Sequence, residues 1–146
     1  MRLKIGLIAL VATCLVAISG PSFAATGVAT VKTRHGKLGT YLVDGKGRTL
    51  YLFEKDRTKK STCAGACAVA WPPLTTKGRP KAAGAAKASL LGTSKRADGT
   101  TQVTYKGQPL YYFVQDKKAG DTKGQGLDGF GAEWYVVSPA GKKIER

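Results

Sequence analysis

The chain has 146 residues, 24 Lys and Arg against nine Asp and Glu, and a formal charge of +15. That length suits one compact domain with a modest core. A single histidine and the lack of paired carboxylates in a catalytic setting leave no Ser–His–Asp set, so the chain reads as non-enzymatic.

The N-terminus carries an address. Arg2 and Lys4 form a short basic start, residues 5–20 are apolar without a charge, and Ser22 and Ala24 are small residues where a signal peptidase reads them. This is the three-part pattern of a secretory signal over residues 1–24, with cleavage between Ala24 and Ala25. The apolar run is short for a membrane span, and nothing later in the chain is apolar enough to be one. Cys14 is a poor lipidation site, since Thr13 precedes it and the apolar run continues beyond it. Losing Arg2 and Lys4 with the signal leaves 22 basic against nine acidic residues, a net +13. Such a field favours anionic partners. Export and the absence of a recognisable module argue against nucleic acid.

Beyond the signal, the chain repeats itself at an offset of 60. Val43, Lys46, Gly47 and Leu50 fall on Val103, Lys106, Gly107 and Leu110. Tyr51, Phe53, Asp56 and Thr62 fall on Tyr111, Phe113, Asp116 and Thr122, and after three inserted residues Trp71 matches Trp134. The copies span about residues 37–76 and 97–139. In chain order, Val28-Ala29-Thr30-Val31-Lys32 predicts a strand, and Thr40-Tyr41-Leu42-Val43 with Thr49-Leu50-Tyr51-Leu52-Phe53 predicts a hairpin across a Gly-containing turn. Residues 63–70 predict a short helical turn. Residues 77–96, rich in Ala, Gly, Lys and Pro, predict an exposed connection. The second hairpin joins residues 101–105 to 109–114, and Trp134-Tyr135-Val136-Val137 adds a strand. The fold class is mainly β, a single domain of two duplicated hairpin units.

Tyr51 and Phe53 are two apart, so on a strand they share one face and Leu50 and Leu52 share the other. Both faces are apolar, which predicts a strand buried on both sides. Asp56 and Asp116 come where these strands end, placed to accept backbone N–H bonds from the outgoing loop. The other role open to them is that of ligand. Cys63-Ala64-Gly65-Ala66-Cys67 reads first as a disulfide in an oxidising compartment. An ideal helix would hold the two Cβ atoms about 5–6 Å apart, so the turn must tighten, and Gly65 eases that. The spacing also leaves open metal binding by Cys63 and Cys67, with His35 as a third candidate, or thiol redox chemistry. His35, beside Gly36, reads first as a surface residue at a turn. Gly124, Gly126 and Gly129 spell a nucleotide-binding string, but it leads into a strand rather than a helix, so it carries no such meaning.

These motifs together resemble the bacterial secreted-repeat proteins, predicted lipoproteins with a repeated Y-x-[FWY]-x-x-D motif. The likeness rests on Leu50-Tyr51-Leu52-Phe53-Glu54-Lys55-Asp56, the Ser61-to-Cys67 loop, Trp71-Pro72-Pro73-Leu74, Gly107 through Phe113, and Gly120-Asp121-Thr122 with Trp134. It covers nearly all of the chain after the signal. The poor lipobox at Cys14 departs from the lipid-anchored members. The resemblance implies export, duplication and compactness, and names no reaction.

The expectation is therefore an exported periplasmic or extracellular binding or structural protein. No cofactor is expected, and its basic surface suits an anionic envelope component: lipid, lipopolysaccharide or acidic glycan. The alternative is a periplasmic copper or thiol-redox protein acting through Cys63 and Cys67.

Overall fold

A computed structural model describes residues 25–146; the expected signal segment, with Cys14, lies outside the described residues. In chain order the elements are β1 (Thr30–Gly36), β2 (Gly39–Asp44), β3 (Tyr51–Phe53), α1 (Ala66–Ala70) and β4 (Lys81–Ala82). A 3-10 turn (Ala88–Leu90) leads into β5 (Leu91–Lys95), β6 (Thr101–Tyr105), β7 (Gln108–Pro109), β8 (Asp128–Gly129) and β9 (Ala132–Val136). They form three small sheets, ordered β2-β1-β4, β3-β9-β8 and β5-β6-β7. The protein is mainly β and made of two repeats.

Several elements differ from the expected ones in extent. The first strand begins at Thr30 rather than Val28 and runs to Gly36, so His35 lies on β1, not in the turn. The helix starts only at Ala66, because Gly65, with φ of 60° and ψ of −129°, interrupts the chain between the cysteines. Within residues 77–96, expected to be a loop, β4 pairs parallel with β1 and β5 pairs antiparallel with β6. β5 thus stands to β6 as β1 stands to β2. Its sequence, Leu91-Gly92-Thr93-Ser94-Lys95, has too few large apolar residues to announce a strand. Backbone pairing with a neighbour decides it.

The hairpins have a common closing pattern that swaps material between the copies. In the first, the Leu42 N–H bonds the Val137 carbonyl (2.8 Å), the Val137 N–H bonds Leu50 (3.3 Å), and the Leu50 N–H bonds Leu42 (3.1 Å). In the second, Val103 bonds Leu74 (2.8 Å), Leu74 bonds Leu110 (2.9 Å) and Leu110 bonds Val103 (3.0 Å). Leu74 and Val137 each follow their own tryptophan by three residues. Each copy's closing segment therefore completes the hairpin of the other copy. Between the two triangles, Tyr51 and Tyr111 exchange a pair of backbone bonds, both 2.9 Å. These bonds pair buried backbone groups along the seam, as burial requires.

Two apolar clusters result, one on each face of β3. Leu50 and Leu52 join Val31, Leu42, Leu74, Val103, Tyr105, Leu110 and Val137 in one. Tyr51 and Phe53 join Tyr111, Phe113, Trp71, Trp134, Cys63 and Cys67 in the other. The expected burial of β3 on both faces holds, with all three of its residues buried.

Candidate functional site

The motif residues of the two copies meet in one place. Phe53 stacks on Trp134 (centroids 4.0 Å apart), Trp134 on Trp71 (4.0 Å) and Trp71 on Phe113 (4.2 Å). The four rings form one column in which each copy's phenylalanine lies against the other copy's tryptophan. Tyr51 meets Trp71 edge-on at 5.3 Å, and Tyr111 meets Trp134 edge-on at 5.1 Å. Edge-to-face and offset contacts of this kind add about 0.5–1.5 kcal/mol each beyond burial.

The tyrosine hydroxyls then cross to the aspartates. The Tyr51 hydroxyl donates to Asp116 Oδ2 at 2.6 Å, and the Tyr111 hydroxyl donates to Asp56 Oδ2 at 2.5 Å. The second oxygen of each aspartate accepts from the loop that follows it. Asp56 Oδ1 takes the Thr62 N–H and hydroxyl, both at 2.7 Å, and Asp116 Oδ1 takes the Lys123 N–H at 2.9 Å. Burial, the largest influence, pushes the Asp116 carboxyl up, against the Tyr51 hydrogen bond. Burial and the facing carboxylates push both tyrosine hydroxyls far above their ordinary value, so they remain protonated donors.

The loops after the two aspartates, where the copies disagree in sequence, support these tyrosines by different means. In the first copy Ser61 Oγ lies 2.7 Å from the Tyr111 hydroxyl and accepts the Cys63 N–H at 3.1 Å. In the second, the Gly124 N–H donates to the Tyr51 hydroxyl at 3.2 Å. Gly124 is buried against rings: a Cβ there would stand 2.7 Å from the Trp71 ring and 2.9 Å from the Tyr51 ring. That glycine, one of three in a chance nucleotide-binding string, serves close approach.

Cys63 and Cys67 are buried in the aromatic cluster with their sulfurs 2.00 Å apart, a bonded separation, and their Cα atoms 5.3 Å apart. Arg96, just after β5, fixes their loop by donating to the Cys63 carbonyl (2.7 Å), Ser61 Oγ (2.9 Å) and Gln102 Oε1 (2.8 Å). Nothing in the sequence set Arg96 apart from the other cations. The structure does not bring His35 to the cysteines. It is exposed on β1, with Nδ1 3.2 Å from Thr40 Oγ1. Among the described residues no three His, Cys, Asp or Glu gather as a metal-binding group.

One polar network spans both copies but occurs only once. Asp44, buried at the end of β2, accepts the Lys46 and Arg48 N–H groups (both 2.9 Å), Arg48 Nε (2.8 Å) and the Tyr112 hydroxyl (2.8 Å). Burial works to raise its carboxyl, yet these bonds and the Arg48 charge hold it below its ordinary value of 3.8. The Arg48 guanidinium also lies 4.2 Å over the Tyr112 ring, and both line a cleft of about 390 Å³ with Pro72, Pro73 and Phe113. Thr104, Gln108 and Leu52 stand at the matching places of the other copy.

This geometry and the repeat agree with a family match. A family of secreted repeats of unknown function matches the chain twice, over residues 32–75 and 92–138. The chain belongs to this family. Neither a curated protein nor a solved structure shows significant similarity to it. Among the described residues no helix is long and apolar enough to cross a membrane.

Proposed function

We propose that this secreted-repeat protein is a non-enzymatic binding module of the cell envelope or extracellular space. Its cationic surface meets an anionic envelope component: phospholipid, lipopolysaccharide or acidic glycan.

The observation that carries this reading is where the carboxylates go. Eight of the nine acidic residues are engaged within the chain. Asp44, Asp56 and Asp116 serve the networks described above. Asp98 and Asp121 cap turns through the Thr100, Lys117 and Lys118 N–H groups. Glu54 and Glu145 pair with Lys143, and Glu133 accepts the Tyr135 hydroxyl. Of the 22 cations after residue 24, only Arg48, Arg96 and Lys143 make ion pairs among the described residues. The remaining positive charges lie mostly on the surface, including Lys55, Arg57, Lys59 and Lys60 on either side of Asp56 and Lys117, Lys118 and Lys123 after Asp116. The positive excess is thus left for a partner, and attraction across water is screened over about 10 Å at 0.1 M salt.

The test is binding of the protein, purified from its native compartment, to vesicles containing phosphatidylglycerol, to lipopolysaccharide and to an acidic polysaccharide. Binding to at least one should be measurable at low salt and fall steeply as salt rises. No binding to any of the three at low salt overturns the reading.

A further inference from the structure

The tip of the β8–β9 hairpin is built in an unusual way. Asp128 pairs with Glu133 and Gly129 with Ala132, so the turn is the two-residue step Phe130-Gly131, with φ of 60° and 97°. Two-residue turns with both residues at positive φ select Asn-Gly or Gly-Gly, because a side chain at the first position clashes with its own backbone. A bulky aromatic residue there is an outlier. Among the described residues the only other non-glycine at positive φ is Lys106. Its side chain lies so close to Gly141 that a Cβ there would stand 2.7 Å from it. Phe130, by contrast, is 46% exposed and, among the described residues, belongs to neither apolar cluster and makes no ring contact. Leu127, just before β8, is 40% exposed.

The base beneath this tip is held firmly. The Trp134 indole N–H donates to the Gly129 carbonyl at 3.0 Å, the Trp134 N–H bonds Leu127 at 2.9 Å, and the Gly126 N–H bonds Trp134 at 2.8 Å. Trp134 itself is in the middle of the aromatic column. Strain of this kind persists only where the surroundings over-determine it, and an outlier without a packing reason points to function. Beside the turn lies a cation: a Cβ on Gly131 would stand 3.7 Å from Lys55 Nζ. Lys55 belongs to the basic loop that includes Arg57, Lys59 and Lys60.

We infer that the Phe130-Gly131 turn is a membrane-contact tip, which puts the phenyl ring into the interfacial layer of a bilayer while Lys55 reaches anionic phosphate headgroups. An aromatic ring with a neighbouring lysine is the pairing that suits that layer, where one part is apolar and the rest is wet. The proposal deepens the cationic-surface reading, on which it rests, by naming lipid as the partner of this part of the surface. Asp128 and Glu133, one pair behind the tip, set its limit. Their carboxylates repel anionic headgroups, so only the turn enters and attachment is shallow and reversible.

The test uses the protein without residues 1–24 and vesicles of phosphatidylethanolamine with phosphatidylglycerol, separated by sedimentation at low and moderate salt. Phe130→Asn, which suits the turn, should lower vesicle affinity roughly tenfold while the urea midpoint stays the same or rises. Lys55→Gln should weaken binding most at low salt, and Asp128→Asn should strengthen it. Phe130→Trp should retain binding, and its emission should shift to the blue on vesicles beyond any shift of the wild type. Wild-type binding to anionic vesicles with an unchanged Phe130→Asn variant overturns the tip and leaves the cationic-surface reading standing. A lowered urea midpoint for Phe130→Asn, or no emission change in Phe130→Trp, also overturns the tip. Absence of wild-type binding to these vesicles, with binding to an acidic polysaccharide intact, likewise overturns the tip and leaves the cationic-surface reading standing.

Discussion

Asp56 and Asp116 do two jobs with two oxygens. One oxygen closes the local loop, a role readable from an aspartate placed at the end of a strand. The other receives a hydroxyl from a tyrosine in the opposite copy, and nothing in the spacing within one motif announces that. Gly124 is the complementary case, a residue whose value lies in what it lacks. Gly124→Ala puts a methyl group 2.7 Å from the Trp71 ring, where rigid stacked neighbours have little room to move. Overpacking of that sort costs about 1–3 kcal/mol. The urea midpoint should drop with an unchanged slope, whereas Gly126→Ala, where no heavy atom lies within 4 Å, should show only the smaller cost of its positive φ of 69°.

The short strands owe little to their own sequence. β3 has three residues and β7 two, lengths that do not persist without the neighbours they pair with. The cysteine turn is likewise shaped by a constraint rather than by propensity. Gly65 breaks the helix so that Cys63 and Cys67 can meet, and Arg96 holds the loop from outside. Closing a ring this small removes about 2 kcal/mol of unfolded-chain freedom. Reduction with a strong thiol, or Cys63→Ser with Cys67→Ser, should therefore lower unfolding stability by about 2 kcal/mol and leave the far-UV circular dichroism unchanged. A fold lost outright on reduction would show that the aromatic column depends on the bond more than its other contacts imply.

The whole molecule is held by exchange. Each closing segment lies in the other copy's hairpin, each phenylalanine stacks on the other copy's tryptophan, and each tyrosine bonds the other copy's aspartate. The copies are one cooperative unit joined by an exposed connection around Gly84 and Ala85. A protease site inserted after Ala85 should be cut in the native protein, and the two pieces should still co-elute until denaturant is added. Separation of the pieces in buffer would mean that the seam is too weak to hold them. Neither piece alone is expected to fold, since each would expose the edges that the other covers.

Much of this was legible in the chain. The offset of 60 residues reveals the duplication, alternation over residues 50–53 predicts a strand buried on both faces, and the paired cysteines predict a bond in an exported protein. Three things were not legible. β5 lacks an apolar pattern and exists because β6 offers it backbone partners. Arg96 looks like any other cation until the Cys63 carbonyl is found beside it. Phe130 looks like an ordinary apolar residue until the hairpin register puts it at positive φ on an exposed tip.

The reason is common to all three. Periodicity and spacing report what a residue does to its neighbours in sequence, so they determined the fold class, the repeat and the burial of the central strand. Partners from distant parts of the chain are chosen only when the elements pack. Which copy's aspartate each tyrosine would meet was therefore decided by the tertiary structure alone.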